Sequence, residues 1–172
     1  MKTQKLFYLT QICLRTLAVA TTLAAASVMF SSRQSTFAFG TRFEARYSYS
    51  SAFKFFAIAN AVACAFSFLS LLYILIMCRQ HSNPTHYFFL FLHDLLMMLL
   101  VLAGCAAATA VGYIGKYGNS HIGWMGICDQ FGKFCSRVTG SVILSYLSVM
   151  FLLLLTIANA SRSRQVIPPP EC

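Results

Sequence analysis

His93 and Asp94 stand side by side in FFLFLHDLLMMLLVLAG, residues 88–104, an otherwise apolar run in a chain with only four acidic residues. An imidazole beside a carboxylate is the pairing from which general bases and proton relays are built. Neither a nucleophile nor a set of metal ligands accompanies them, so no catalytic residue is expected. Neighbouring helical residues also project about 100° apart, so the two need not form a unit. His93 is expected to make an interfacial or interhelical hydrogen bond instead.

The other reactive groups are cysteines, seven in all. Cys13, Cys64 and Cys105 lie inside apolar blocks and read as packing residues. Cys128 and Cys135 share one soluble loop. Their spacing lacks the close C-x-x-C geometry of a metal site, and no second ligand pair follows, so a disulfide is the better reading and neither metal nor cofactor is expected. Cys78, beside Arg79 at a helix end, is a candidate palmitoylation site, whereas Cys172 lacks the three following residues of a prenylation motif.

Arg15 is the second charge embedded in apolar sequence. At a helix centre in a bilayer such a residue costs about 2.5–3.5 kcal/mol. Arg15 lies about eight residues into its apolar block and Asp94 about seven into its own, which puts both roughly 10–12 Å from the same membrane face. A guanidinium and a carboxylate at one depth can join through two parallel hydrogen bonds, which offsets much of the desolvation of each. The alternative is that Arg15 snorkels to the interface and Asp94 takes up a proton.

These residues need long helices to hold them. The 172-residue chain is 58% hydrophobic and 10% charged, with a mean hydropathy of +0.69, against about 25% charged residues in soluble domains. Four blocks exceed the roughly 20 residues that cross a bilayer as helix, namely 7–30, 52–77, 87–114 and 138–158. An all-α integral membrane four-helix bundle is therefore expected, as one domain over residues 1–172, with short terminal tails. Membrane strands would show short alternating segments instead. A cleaved signal peptide is not expected in the first block, which is too long and is broken by Arg15. The formal charge of +9 comes from thirteen Lys and Arg scattered among the blocks, which fits contact with anionic lipid and not nucleic acid.

Four spans put both termini on one side, with Lys2, Lys5, Arg79, Arg162 and Arg164 opposite Arg33, Arg42, Arg46, Lys54, Lys116, Lys133 and Arg137. Charge does not decide the orientation. A disulfide in the third connection requires an oxidising compartment there, which gives cytoplasmic termini. The sequon Asn159-Ala160-Ser161 then falls on the cytoplasmic side and should be unmodified. Trp124, Phe131 and Phe134 suit a loop resting at the membrane interface. The tail SRSRQVIPPPEC should be extended.

Small residues four apart mark faces for close helix packing: Ala18, Thr22 and Ala26; Ala57, Ala61 and Ala65; Gly104, Ala108 and Gly112. Asn60 is placed to hydrogen-bond across helices. Along a helix face the fourth span offers Ser141, Ser145 and Ser148, too few for a conducting path.

LRTLAVATTLAAASVM, FEARYSYSSAFKFFAIANA and the stretch from FLHDLLMMLL to GICDQFGKFCSRV resemble the Casparian strip membrane domain protein-like family of plants. That family is related to the MARVEL four-span proteins and carries an arginine in the first span and an aspartate in the third, the positions of Arg15 and Asp94. The resemblance implies plasma-membrane proteins with cytoplasmic termini that form homo-oligomers and hetero-oligomers. Its founding members build an immobile scaffold that recruits secreted cell-wall enzymes. They carry an acidic and aromatic stretch early in the first loop, where this chain has STFAFGTRFEARY. The resemblance therefore points to the broader relatives. A non-enzymatic scaffold is the function expected, with a channel or transporter subunit as the alternative.

Overall fold

A computed structural model describes residues 2–38, 41–77, 84–118, 121, 123 and 125–166. Four long helices form: α1 Lys2–Phe30, α2 Ser51–Met77, α3 Pro84–Tyr117 and α4 Gly132–Val166. Each is long and apolar enough to cross a membrane. Pro84 opens α3, a position where its missing N–H breaks no helical bond. Gly118, with φ 67°, closes it, and its N–H returns to the Ile114 carbonyl at 2.8 Å.

The last helix departs most from the expected boundaries. Hydropathy ends the fourth span at residue 158, but α4 continues to Val166, so the start of the tail is helical and not extended. The proline run beyond it, like Cys78, Trp124 and Cys172, lies outside the described residues.

The strongest packing pairs are α1 with α2, α2 with α3, α3 with α4, and α4 with α1. They close a ring, with α1 and α3 on one diagonal. Inside lie Ala18, Ala25, Met29, Phe56, Ala63, Val101, Leu152 and Leu155. Outside are Leu23, Phe55, Ile58, Phe68, Leu72 and Leu99, the side chains that lipid solvates. Arg15, Asp94, Asn60, Ser145 and Asn159 are turned inward.

Small residues set the closest approaches, although not all the expected faces are used. Ala18, Thr22 and Ala26 are buried in α1. In α2, Ala57 is buried but Ala61 is half-buried and Ala65 exposed, and Ala59 and Ala63 face the bundle instead. A spacing of four drifts around a helix of 3.6 residues per turn, which carries a long series off the contact face. In α3, a Cβ at Gly104 would stand 3.3 Å from both Phe56 Cα and Ala59 Cβ, whereas one at Gly112 would meet nothing.

The first connection is more ordered than its polar, aromatic composition suggested. Strands β1 Arg33–Ala38 and β2 Thr41–Arg46 pair antiparallel, with Arg33 opposite Arg46 and Ala38 opposite Thr41. A 3-10 turn at Tyr47–Tyr49 then leads into α2, with the Tyr47 ring edge-on to Phe30.

Candidate functional site

Arg15 and Asp94 meet across the α1–α3 diagonal. Arg15 Nη1 donates to Asp94 Oδ1 at 2.9 Å and Nη2 to Oδ2 at 2.7 Å, with the side chains 1% and 0% exposed. The matched depths come from equal helix rise, and the meeting follows from the ring, which places both residues on its axis. Snorkelling of Arg15 to the interface is excluded by this geometry.

The pair is embedded in a network contributed by all four helices. Arg15 Nη1 also donates to Ser70 of α2, whose hydroxyl donates in turn to the Ser67 carbonyl at 2.8 Å. From α4, Asn159 Nδ2 donates to Asp94 Oδ2 at 2.8 Å, while its Oδ1 accepts from Gln11 Nε2 at 3.0 Å. His93 Nδ1 lies 3.2 Å from Asp94 Oδ1 and donates to it in the Nδ1-protonated tautomer. A carboxylate has about four acceptor sites, and these contacts engage all of them. Among the described residues, Arg15 Nε, Gln11 Oε1 and Ser67 Oγ have no partner. Each such buried atom costs about 1–3 kcal/mol, which the bidentate pair must offset.

Two sequence expectations are corrected here. His93 is not independent of Asp94: its hydrogen-bond partner is the adjacent carboxylate and not a group on another helix or at the interface, and the Phe66 ring of α2 lies 6.2 Å from the imidazole, centroid to centroid. The angle between neighbours fixes where the Cβ atoms start, and a long ring can still reach an adjacent carboxylate. Asn159, placed by the hydropathy reading just beyond the fourth span, lies within α4 as a buried member of the network, 0% exposed. Its signal was a polar residue at the depth of Arg15 on an antiparallel helix, hidden by ending the span one residue early.

A second polar cluster lies nearer the loop end. Ser145 Oγ donates to Asn60 Oδ1 at 2.8 Å, Cys105 Sγ donates to Ser145 Oγ at 3.1 Å, and Ser141 Oγ donates to the Ala25 carbonyl at 2.7 Å. Cys105 is thus both packing and polar contact. Of the other cysteines in the spans, Cys64 reaches the Val19 carbonyl at 3.8 Å, and Cys13 is exposed on the flank and does not pack inside.

Cys128 and Cys135 are joined in a disulfide, Cα to Cα 5.7 Å, which ties the third connection to the first turn of α4. The Ile127 N–H donates to the Gly115 carbonyl at 2.8 Å, and a Cβ at Gly126 would fall 2.7 Å from the Lys116 carbonyl oxygen, so the loop lies directly on the end of α3. Gln34 of β1 accepts from the Phe134 N–H at 2.8 Å, supplying a partner to the open N-terminus of α4. Phe131 is buried and Phe134 packs on Phe53, so both point into the protein and not at the membrane interface. Replacing both cysteines by serine should lower stability by about 2–3 kcal/mol, the loop-closure contribution of a short ring. Denaturant unfolding of the purified protein with and without reductant would check this, since reductant should shift the parent and leave the variant unchanged.

Among the described residues no group of three or more His, Cys, Asp or Glu is placed to hold a metal ion. The arrangement is suited to holding four helices in register.

A match to the Casparian strip membrane protein domain covers residues 4–151. CASP-like protein 1F1 of Ricinus communis is 57% identical over 166 residues, 96% of this chain and 93% of its own length. CASP-like protein 1F1 of Vitis vinifera is 55% identical over 164 residues, 95% of this chain and 80% of its own. CASP-like protein 1F1 of Arabidopsis thaliana is 38% identical over 154 residues, 90% and 89% of the two chains. No solved structure matches.

Proposed function

The chain belongs to the Casparian strip membrane protein domain family, and from that premise we propose that it is a plasma-membrane scaffold that oligomerises and organises a membrane subdomain. The observation that carries this reading is the direction of the polar groups. Arg15, Asp94, Asn159, Gln11 and Ser70 bind one another within a single chain, and the flank offers lipid and other subunits large apolar side chains. Even the exposed Thr10 and Thr16 and the half-buried Thr21 donate their hydroxyls to carbonyls of their own helix. Such a unit keeps its shape while its neighbours change. Assembly with copies of itself or related four-span proteins then proceeds through apolar contact. Its loop end, which carries the β1–β2 pair and the Cys128–Cys135 disulfide, is the surface offered to secreted cell-wall enzymes.

Both termini face the cytoplasm in this reading, which the disulfide supports. An impermeant maleimide added to intact cells should label Cys128 and Cys135 only after reduction. Labelling that requires permeabilised cells would reverse the orientation.

Fluorescence recovery after photobleaching of a tagged copy in its native cell tests the scaffold. Patches that recover slowly are expected, and uniform, rapid mixing would sink the proposal. A row of inward polar residues, Arg15, Ser70, Asn60, Ser145 and Ser141, favours a channel or transporter subunit as the second reading. Ion flux in vesicles reconstituted with the purified protein would promote it.

A further inference from the structure

The loop end of the bundle holds a half-open cavity of about 760 Å³, within the range of small-ligand sites, about 300–1,000 Å³. Its walls are mainly apolar, from Phe53, Val111, Phe131, Phe134 and Val138. Val111 and Gly112 belong to the apolar run of α3, and Val138 and Thr139 to that of α4. The walls therefore run from membrane-crossing segments up to the loops. A space of this kind favours an alkyl chain over water, which would find few polar partners there.

Charge gathers at the rim. Arg46 and Lys116 contribute two cations and Glu44 one anion, and Arg46 Nε holds Glu44 Oε2 at 3.2 Å with both side chains well exposed. The net positive edge suits an anionic headgroup. Both Gly112 and Gly115 line this space, and a Cβ at either would meet nothing within 4 Å.

We propose that this cavity binds the acyl chain of an anionic amphiphile, with its head at Arg46 and Lys116 and its chain against Phe53 and Val138. The chain would lie between α3 and α4 as a resident ligand and not as annular lipid. Its headgroup would join the first connection to the last turn of α3.

The test uses the full chain in phosphatidylcholine nanodiscs carrying a trace of diazirine-labelled phosphatidylglycerol, or of diazirine-labelled palmitate. After irradiation, labelling should concentrate on peptides holding residues 111–116 and 131–139, well above the exposed flank of α2. Gly112→Phe and Gly115→Leu, at positions where a Cβ meets no neighbour within 4 Å, are the variants chosen to fill the space, and each should cut that labelling about tenfold or more, the loss expected when a site is blocked. Flank labelling and thermal unfolding should stay at the parent level. Arg46→Gln combined with Lys116→Gln should reduce labelling by the anionic probes to that of a diazirine-labelled phosphatidylcholine. Whichever anionic probe labels the cavity identifies the source, membrane phospholipid or free fatty acid. Uniform labelling, labelling indifferent to the filled cavity, or cross-linking of these peptides to a second copy would overturn the proposal. Unfolding of both glycine variants would overturn it too, because the space would then not be free.

Discussion

Asp94→Ala should cost about 3–5 kcal/mol in unfolding experiments on the purified protein in mixed micelles, and should sharply reduce delivery to the membrane. The magnitude is that of removing one partner from a buried ion pair, which leaves Arg15 charged and unmatched at 1% exposure. Arg15→Glu should be at least as severe, because it sets two carboxylates against each other with Asn159 and His93 still beside Asp94. The double change Arg15→Glu with Asp94→Arg should recover part of the loss. Recovery stays partial because Asn159 presents Nδ2 to position 94, a donor that suits a carboxylate and opposes a guanidinium. A double variant no better than the worse single change would show that the pair contributes no specific stability.

Asn159→Leu is the second large effect, about 2–4 kcal/mol in the same assay. It removes a hydrogen bond to a charged acceptor, about 1.5–3 kcal/mol, and strips Gln11 Nε2 of its partner, about 1–3 kcal/mol, with overlap between the two. Membrane reference states that find substitute partners pull such values down, so the lower end applies if Gln11 rearranges. Gln11→Leu in the Asn159→Leu background should then add little, since the two share one bond. Additive losses would mean that Gln11 and Asn159 act separately. The same burial predicts that glycosidase leaves the intact mass unchanged.

Much of the fold was legible because the bilayer imposes a one-dimensional rule. An apolar run of about 20 residues must be helical to satisfy its backbone, so four runs gave four helices, a fold that the observed elements bear out. Family membership was legible too, since the motifs around Arg15, Asp94 and Cys128 lie within the matched residues 4–151. Helix ends were less so, because hydropathy tracks solvent and not backbone geometry. Charged Arg162 and Arg164 ended the fourth apolar run, while α4 simply carried on. The hairpin over Arg33–Arg46 was missed for a related reason: its pairing depends on the opposite strand, and its composition carries weak strand alternation.

The sequence by itself determined depth. Counting residues at 1.5 Å of rise is enough to set Arg15 and Asp94 level, and to set Cys128 and Cys135 in one loop. Direction around each helix was decided only by the tertiary structure. Which side of α4 faces the axis depends on how three other helices pack, and that choice brings Asn159 and Gln11 into the network, turns His93 back to Asp94 and leaves Ala65 facing outward. Depth is a property of one helix in a bilayer, but azimuth is a property of the bundle.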